Sequence, residues 1–106
     1  MIVTAWNNGR HTRTGTGYGL KMTWADRDRY LDRSWSCVYV QLPGGGVEIE
    51  VNVDKPSFWT RHCSELINRD IGRWLIDKGY APWPSGHPPK FRLTRTQGNH
   101  FVLRER

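Results

Sequence analysis

Apolar positions along the chain repeat with two different periods. Between Asp70 and Gly79, Ile71, Trp74, Leu75 and the stem of Lys78 share one face at helical spacing, which predicts a short amphipathic helix laid on a core. Asp70 can accept hydrogen bonds from the first free amides, and Gly79 can take the left-handed cap. Elsewhere the period is two. Cys37–Leu42 and Val47–Val53 alternate on either side of Pro43-Gly44-Gly45-Gly46 and predict a hairpin. In it Val47, Ile49, Val51 and Val53 face the core, while Glu48, Glu50 and Asn52 face water. Phe91–Thr96 and His100–Arg104 predict a second hairpin around Gln97-Gly98-Asn99, with Phe91, Leu93, Phe101 and Leu103 inward and Arg92 and Arg104 outward.

Between these elements the pattern is weaker. Tyr18–Met22 reads as a short strand. Thr23 stands three residues before Asp26, an approximate capping box opening a helix from Trp24 to about Asp32. Residues 7–17 carry no large apolar side chain, so residues 1–17 are expected to form a flexible basic arm before a single domain over 18–106. Residues 54–69 are irregular; Phe58 and Trp59 can cap the core or stack on a ligand, and Ser64–Ile67 can extend the later helix. Pro82, Pro84, Pro88 and Pro89 hold residues 81–90 extended, with Trp83 between two of them.

A chain of 106 residues makes one domain with one core, and six Trp, four Tyr and three Phe must supply much of its buried area. No run of about 18 apolar residues predicts a membrane span. Met1–Trp6 lacks the charged head and apolar middle of a secretion signal, and Cys37 and Cys63 are too few for a disulfide scaffold, so a reduced, cytoplasmic setting is expected. The net charge of +6 is unevenly spread: residues 1–21 carry +3, residues 90–106 carry +4, and the middle carries −1. Twelve of the sixteen cations are arginine, the residue suited to bidentate phosphate and guanine contacts. This favours a polyanionic partner.

No complete catalytic motif and no metal-ligand spacing is present, so neither an enzyme nor a cofactor is expected. His62-Cys63 is an isolated pair, Cys37 lies in a strand pattern, and Gly15-Thr16-Gly17-Tyr18-Gly19 lacks the following Gly-Lys of a phosphate loop.

The order strand, helix, hairpin, irregular loop, short helix, hairpin resembles the B3-type DNA-binding pseudobarrel of plant transcription factors and of some bacterial restriction enzymes. Lys21–Asp26 is similar to that family's passage from strand to helix, and Val38–Val53 to its central hairpin. Ile71, Trp74, Leu75, Tyr80, Phe91, Leu93 and Phe101 are similar to its short helix and closing strands. Residues 81–90 stand where the family has a Gly-Asp turn. The resemblance implies an α+β, mostly β fold: a small open pseudobarrel of about six to seven strands with two short helices at its ends. It also implies a non-catalytic double-stranded DNA-binding domain, a regulator or a targeting module. Its two arms, which grip the major groove like the jaws of a wrench, would fall near Arg27–Ser36 and Ser57–Arg69. On that likeness Arg29, Arg33, Arg61 and Arg69 are expected phosphate or base contacts, with Trp59 and His62 in the groove. Arg10 and Arg13 are expected on the backbone through charge alone. Two rival readings stand beside this one. One is a single-stranded nucleic-acid or RNA module stacking bases on Trp59, Trp83 and Tyr80. The other is a protein-interaction domain docking through its Pro-Trp-Pro loop.

Overall fold

The computed structural model describes Met1–Arg106. Its strands are β1 (Ile2–Asn7), β2 (Tyr18–Lys21), β3 (Cys37–Gln41), β4 (Glu48–Asn52), β5 (Glu65–Ile67), β6 (Lys90–Gln97) and β7 (His100–Glu105). Helix α1 (Trp24–Tyr30) follows β2, helix α2 (Arg69–Asp77) follows β5, and a 3-10 turn spans Pro56–Trp59. The strands form one open mixed sheet in the order β4-β3-β7-β6-β1-β2-β5. Only the β3–β7 pair is parallel. The fold is thus α+β and mostly strand, with seven strands and two short helices. No helix is long and apolar enough to cross a membrane.

The sheet curves strongly enough to bring its two edges together. Asn68, just after edge strand β5, donates its Nδ2 hydrogen to the Glu50 carbonyl of edge strand β4 at 3.1 Å. The residues on the inner face merge into one core of 22 buried apolar side chains. Phe91, Leu93, Phe101 and Leu103 enter it from the terminal hairpin as their alternation predicts, each 1% exposed. Burying each contributes about 1.5–3 kcal/mol. Ile71, Trp74 and Leu75 turn the apolar face of α2 onto the same core.

Several expectations are corrected. Ile2–Asn7 are no arm: they form a strand inside the sheet, paired with β2 on one side and β6 on the other. Val3 and Ala5 face inward there, and so small a buried pair gives weak alternation in the sequence. Glu65–Ile67 are strand, not helix, because Leu66 is drawn into the core opposite Leu20. Val47 lies before β4 in the glycine turn and is 58% exposed, although Ile49, Val51 and Val53 face inward as expected. Asn68 caps α2 in place of Asp70, its Oδ1 accepting the Asp70 amide hydrogen at 2.7 Å. Thr23 does cap α1 through the Asp26 amide, and Gly79 does take a positive φ of 80°.

Residues 8–17 form the loop between β1 and β2, and glycine fixes where it lies. Gly15 has φ +91° and rests against α2 at Gly72, two backbones in direct contact. A Cβ on Gly72 would lie 2.1 Å from the Gly15 carbonyl oxygen, and one on Gly15 2.5 Å from the Arg69 oxygen. Gly72→Ala should therefore destabilise the fold by about 1–3 kcal/mol through overpacking, measurable by urea unfolding. Gly86→Ala, where no atom lies within 4 Å, should cost less and only through its positive φ.

Candidate nucleic-acid interface

Residues directly opposite one another in an antiparallel ladder share a face. On the outer side of β1, β2 and β5 this produces two cross-strand rows, Trp6–Gly19–Ile67 and Thr4–Lys21–Glu65. Gly19 leaves the first row bare between its flanking side chains, and a Cβ there would meet the Leu66 carbonyl at 2.5 Å. The same register sets two loops at opposite ends of this face. The 8–17 loop joins β1 to β2 at the Tyr18 end, beside Ile67 and the start of α2. The 53–64 segment reaches β5 at the Lys21 end, where Glu65 pairs with Lys21.

Each loop is held by specific bonds. In the first, the Asn8 amide donates to the Gly17 carbonyl at 2.9 Å. Asn7 Nδ2 donates to His11 Nε2 at 2.9 Å, which leaves the imidazole proton on Nδ1, and that nitrogen donates to Tyr18 Oη at 2.8 Å. Burial pushes the Tyr18 phenol above its ordinary pKa. Trp83 packs edge-on against both rings, 4.7 Å from His11 and 5.8 Å from Tyr18 between centroids. The second loop hangs on Arg27, which is 3% exposed. Its Nη1 donates to the carbonyls of Phe58 and Thr60, and its Nη2 pairs with Asp28 at 2.9 Å. Nothing in the sequence marks Arg27 for burial apart from its place on the inner side of α1.

The structure divides the expected site residues. Arg10 and Arg13 are exposed on the 8–17 loop, and Arg69 stands beside that loop at the start of α2, far along the face from Arg61. Arg61 and His62 are exposed at the other end, with the Arg61 guanidinium 4.6 Å from the Trp24 ring. Arg29 and Arg33 leave the face altogether: with Arg95 they line a groove of about 620 Å³ beside α1, together with Asp28 and Asp32. Bonds from the Ser34 amide and hydroxyl hold Asp32 below its ordinary pKa, so this groove carries mixed charge. Trp59 is half-buried, its Nε1 donating to the Val53 carbonyl at 3.0 Å, with the Arg27 and Arg33 guanidiniums 5.3 and 5.6 Å from its ring. Arg92 and Arg104 sit directly opposite each other on the outside of the terminal hairpin.

Negative charge collects along the outer side of β4, the edge strand that Asn68 ties to the end of β5. Glu48 and Glu50 project from β4, where His100 pairs with Glu48 at 3.0 Å and Tyr39 donates to Glu50 at 3.0 Å. Cys37 is half-buried on this outer side rather than packed in the core, and with Glu50 it pushes the Tyr39 phenol up to about 12. Arg27 is the only arginine or lysine within 4.0 Å of a carboxylate oxygen. No group of three His, Cys, Asp or Glu comes together.

Compared with protein-family models, curated proteins and solved structures, the chain matches none. Its functional reading rests on geometry.

Arg27→Met keeps the stem of the side chain but removes the fork that holds two carbonyls. It should cost about 3 kcal/mol, the scale of two hydrogen bonds to a charged group, with denaturant unfolding as the measure. Amide exchange should rise first in residues 58–63, which the guanidinium ties to α1.

Proposed function

We propose that this chain is a non-catalytic module for gripping double-stranded DNA, on a small open pseudobarrel of the B3 type, as a regulator or as the targeting part of a restriction-type system. One observation carries the reading: two basic loops flank one short sheet face, and neither 8–17 nor 60–63 contains a carboxylate. β2 separates them, and its four residues span about 13 Å at about 3.3 Å each. That is close to the width of the major groove, about 12 Å. The jaws of the wrench are then 8–17, with Arg10 and Arg13, and 60–63, with Arg61 and His62, in place of the segments 27–36 and 57–69. Lys21 lies between them on the face. The approach of β4 to β5 across Asn68 supports the pseudobarrel form.

The aromatic rings favour duplex over single strands. Base stacking needs open ring faces, and each ring of the rival reading is engaged. Trp59 lies under two guanidiniums, Trp83 packs on His11 and Tyr18, and Tyr80 packs on Trp74 and Phe91 while its hydroxyl donates to Glu105. The packing of Trp83 also removes the projecting knob that a Pro-Trp-Pro docking loop requires.

A low-salt gel shift with random duplex, single-stranded DNA and RNA tests this. Duplex should bind best, and its affinity should fall steeply as salt rises. Arg10→Ala with Arg13→Ala should reduce the slope of log K against log salt by about 1.8, at about 0.9 per phosphate contact. Arg61→Ala should weaken binding by about 1–3 kcal/mol if it reads a base edge, while Arg92→Ala, on another face, should change little. Salt-independent binding, or a preference for single strands, would overturn the proposal.

A further inference from the structure

Beside the 53–64 segment the sheet face opens into a cleft of about 220 Å³. Trp6, Ile67 and the deeply buried Phe58 make its apolar walls, and Lys55, Ser57 and Cys63 stand at its mouth. Glu65 lines it as well. This carboxylate is 8% exposed, and its Oε2 is sealed from water without a hydrogen-bond donor. Lys21, its cross-strand neighbour, forms no ion pair with it within 4.0 Å. The chain has buried an acceptor and supplied nothing to donate to it.

From this we infer that the cleft is a pocket for one guanine base, a reading that rests on the DNA-binding proposal above. Its volume lies below the about 300–1,000 Å³ of a site for a drug-sized ligand and suits one planar ring system. Trp6, Phe58 and Ile67 offer apolar surface to the faces of such a ring. A carboxylate has only acceptors and asks for two neighbouring donors. Among the four bases, guanine alone presents them, N1–H beside the N2 amino group. Adenine and cytosine set a ring acceptor next to their amino group, and this opposes Glu65. Lys55 at the mouth supplies the positive charge that a nucleotide's phosphate needs. Oε2 is turned away from the open cleft, so guanine binding requires rotation about the last bond of Glu65, a broad torsion, that brings both oxygens to the ring edge. A base stacked within a duplex does not reach a carboxylate so deeply set, so a guanine from DNA must leave the stack to enter.

The test compares GMP, AMP, CMP and UMP by calorimetric titration of the whole chain, and compares two duplexes of one sequence with a central G·C pair or a G·T mismatch. A mismatched guanine is easier to extrude. GMP should bind about tenfold or more tightly than the other nucleotides, the scale of one bidentate base contact, and the G·T duplex about tenfold more tightly than the paired one. Glu65→Gln, which replaces one acceptor with a donor, should abolish both preferences while leaving affinity for the paired duplex within about twofold. Ser57→Trp, which fills the mouth, should do the same without touching the carboxylate, and melting curves would identify a variant that fails to fold. GMP selectivity without a G·T preference supports the pocket and makes the free nucleotide its ligand. Paired-duplex binding with no guanine preference, or a preference that survives both substitutions, overturns the pocket and leaves the DNA reading standing. Loss of duplex binding in the native chain removes that reading instead.

Discussion

The geometry of this molecule turns on Asn68, where three parts of the chain meet in one residue. Its amide donates to the Tyr18 carbonyl at the start of β2, its Oδ1 accepts from the Asp70 amide to begin α2, and its Nδ2 donates to the Glu50 carbonyl of β4. A sheet whose backbone ladder is open at both edges is thereby drawn together by one side chain. Edge strands expose unpaired amides and carbonyls to other chains, and folding β4 toward β5 shields one such edge with the other. The same residue fixes where α2 begins. Because α2 meets the 8–17 loop through Gly72 and Gly15, the position of the first basic loop also follows from it.

The sequence makes legible what local rules govern. Alternation and a glycine turn predict both hairpins, helical spacing predicts the buried face of α2, and Thr23 with Asp26 predicts the start of α1. Elements made by partners distant in the chain stay hidden. β5 has three residues, too few for a period, and is a strand only because β2 lies beside it. β1 looks polar because it ends in Asn7, Asn8 follows, and Ala5 is one of its two core residues, yet it joins the terminal hairpin to β2 and β5 in the sheet. Arg27 and Glu65 are missed for a related reason. Charged side chains are read as solvated by default, and only the packed fold shows that these two are covered. One finds partners for its charge, and the other does not.

Counting arginines overstates how many can act together. Arg27 is a structural staple, Arg29, Arg33 and Arg95 share a groove with two aspartates, and Arg92 and Arg104 face outward from the terminal hairpin. Like charges directly opposite on antiparallel strands repel, by roughly 0.2–1 kcal/mol for an exposed pair. The cations that flank the β1–β2–β5 face come from 8–17 and 60–63, segments without acids, while the glutamates of β4 project from the opposite edge strand, which Asn68 ties to the end of β5. The surplus at the chain ends is therefore not gathered onto one surface. What sets the face apart is the arrangement of its loops rather than the amount of charge.

Glu65 gives that face a chemical asymmetry that phosphate binding alone does not require. An acceptor left unsatisfied in the interior costs about 1–3 kcal/mol, a large share of the 5–15 kcal/mol that keeps a domain folded. An apolar residue at 65 would avoid this cost and spare the surface a negative charge. Strained or destabilised groups persist at sites where activity needs them. The carboxylate lines a cleft with the Trp6 indole beside the 53–64 segment, where, on the proposed reading, a base presented by bound DNA would arrive. On that reading, charge on the loops would bring the polyanion to the face, and the unpartnered acceptor beneath it would distinguish one base from another.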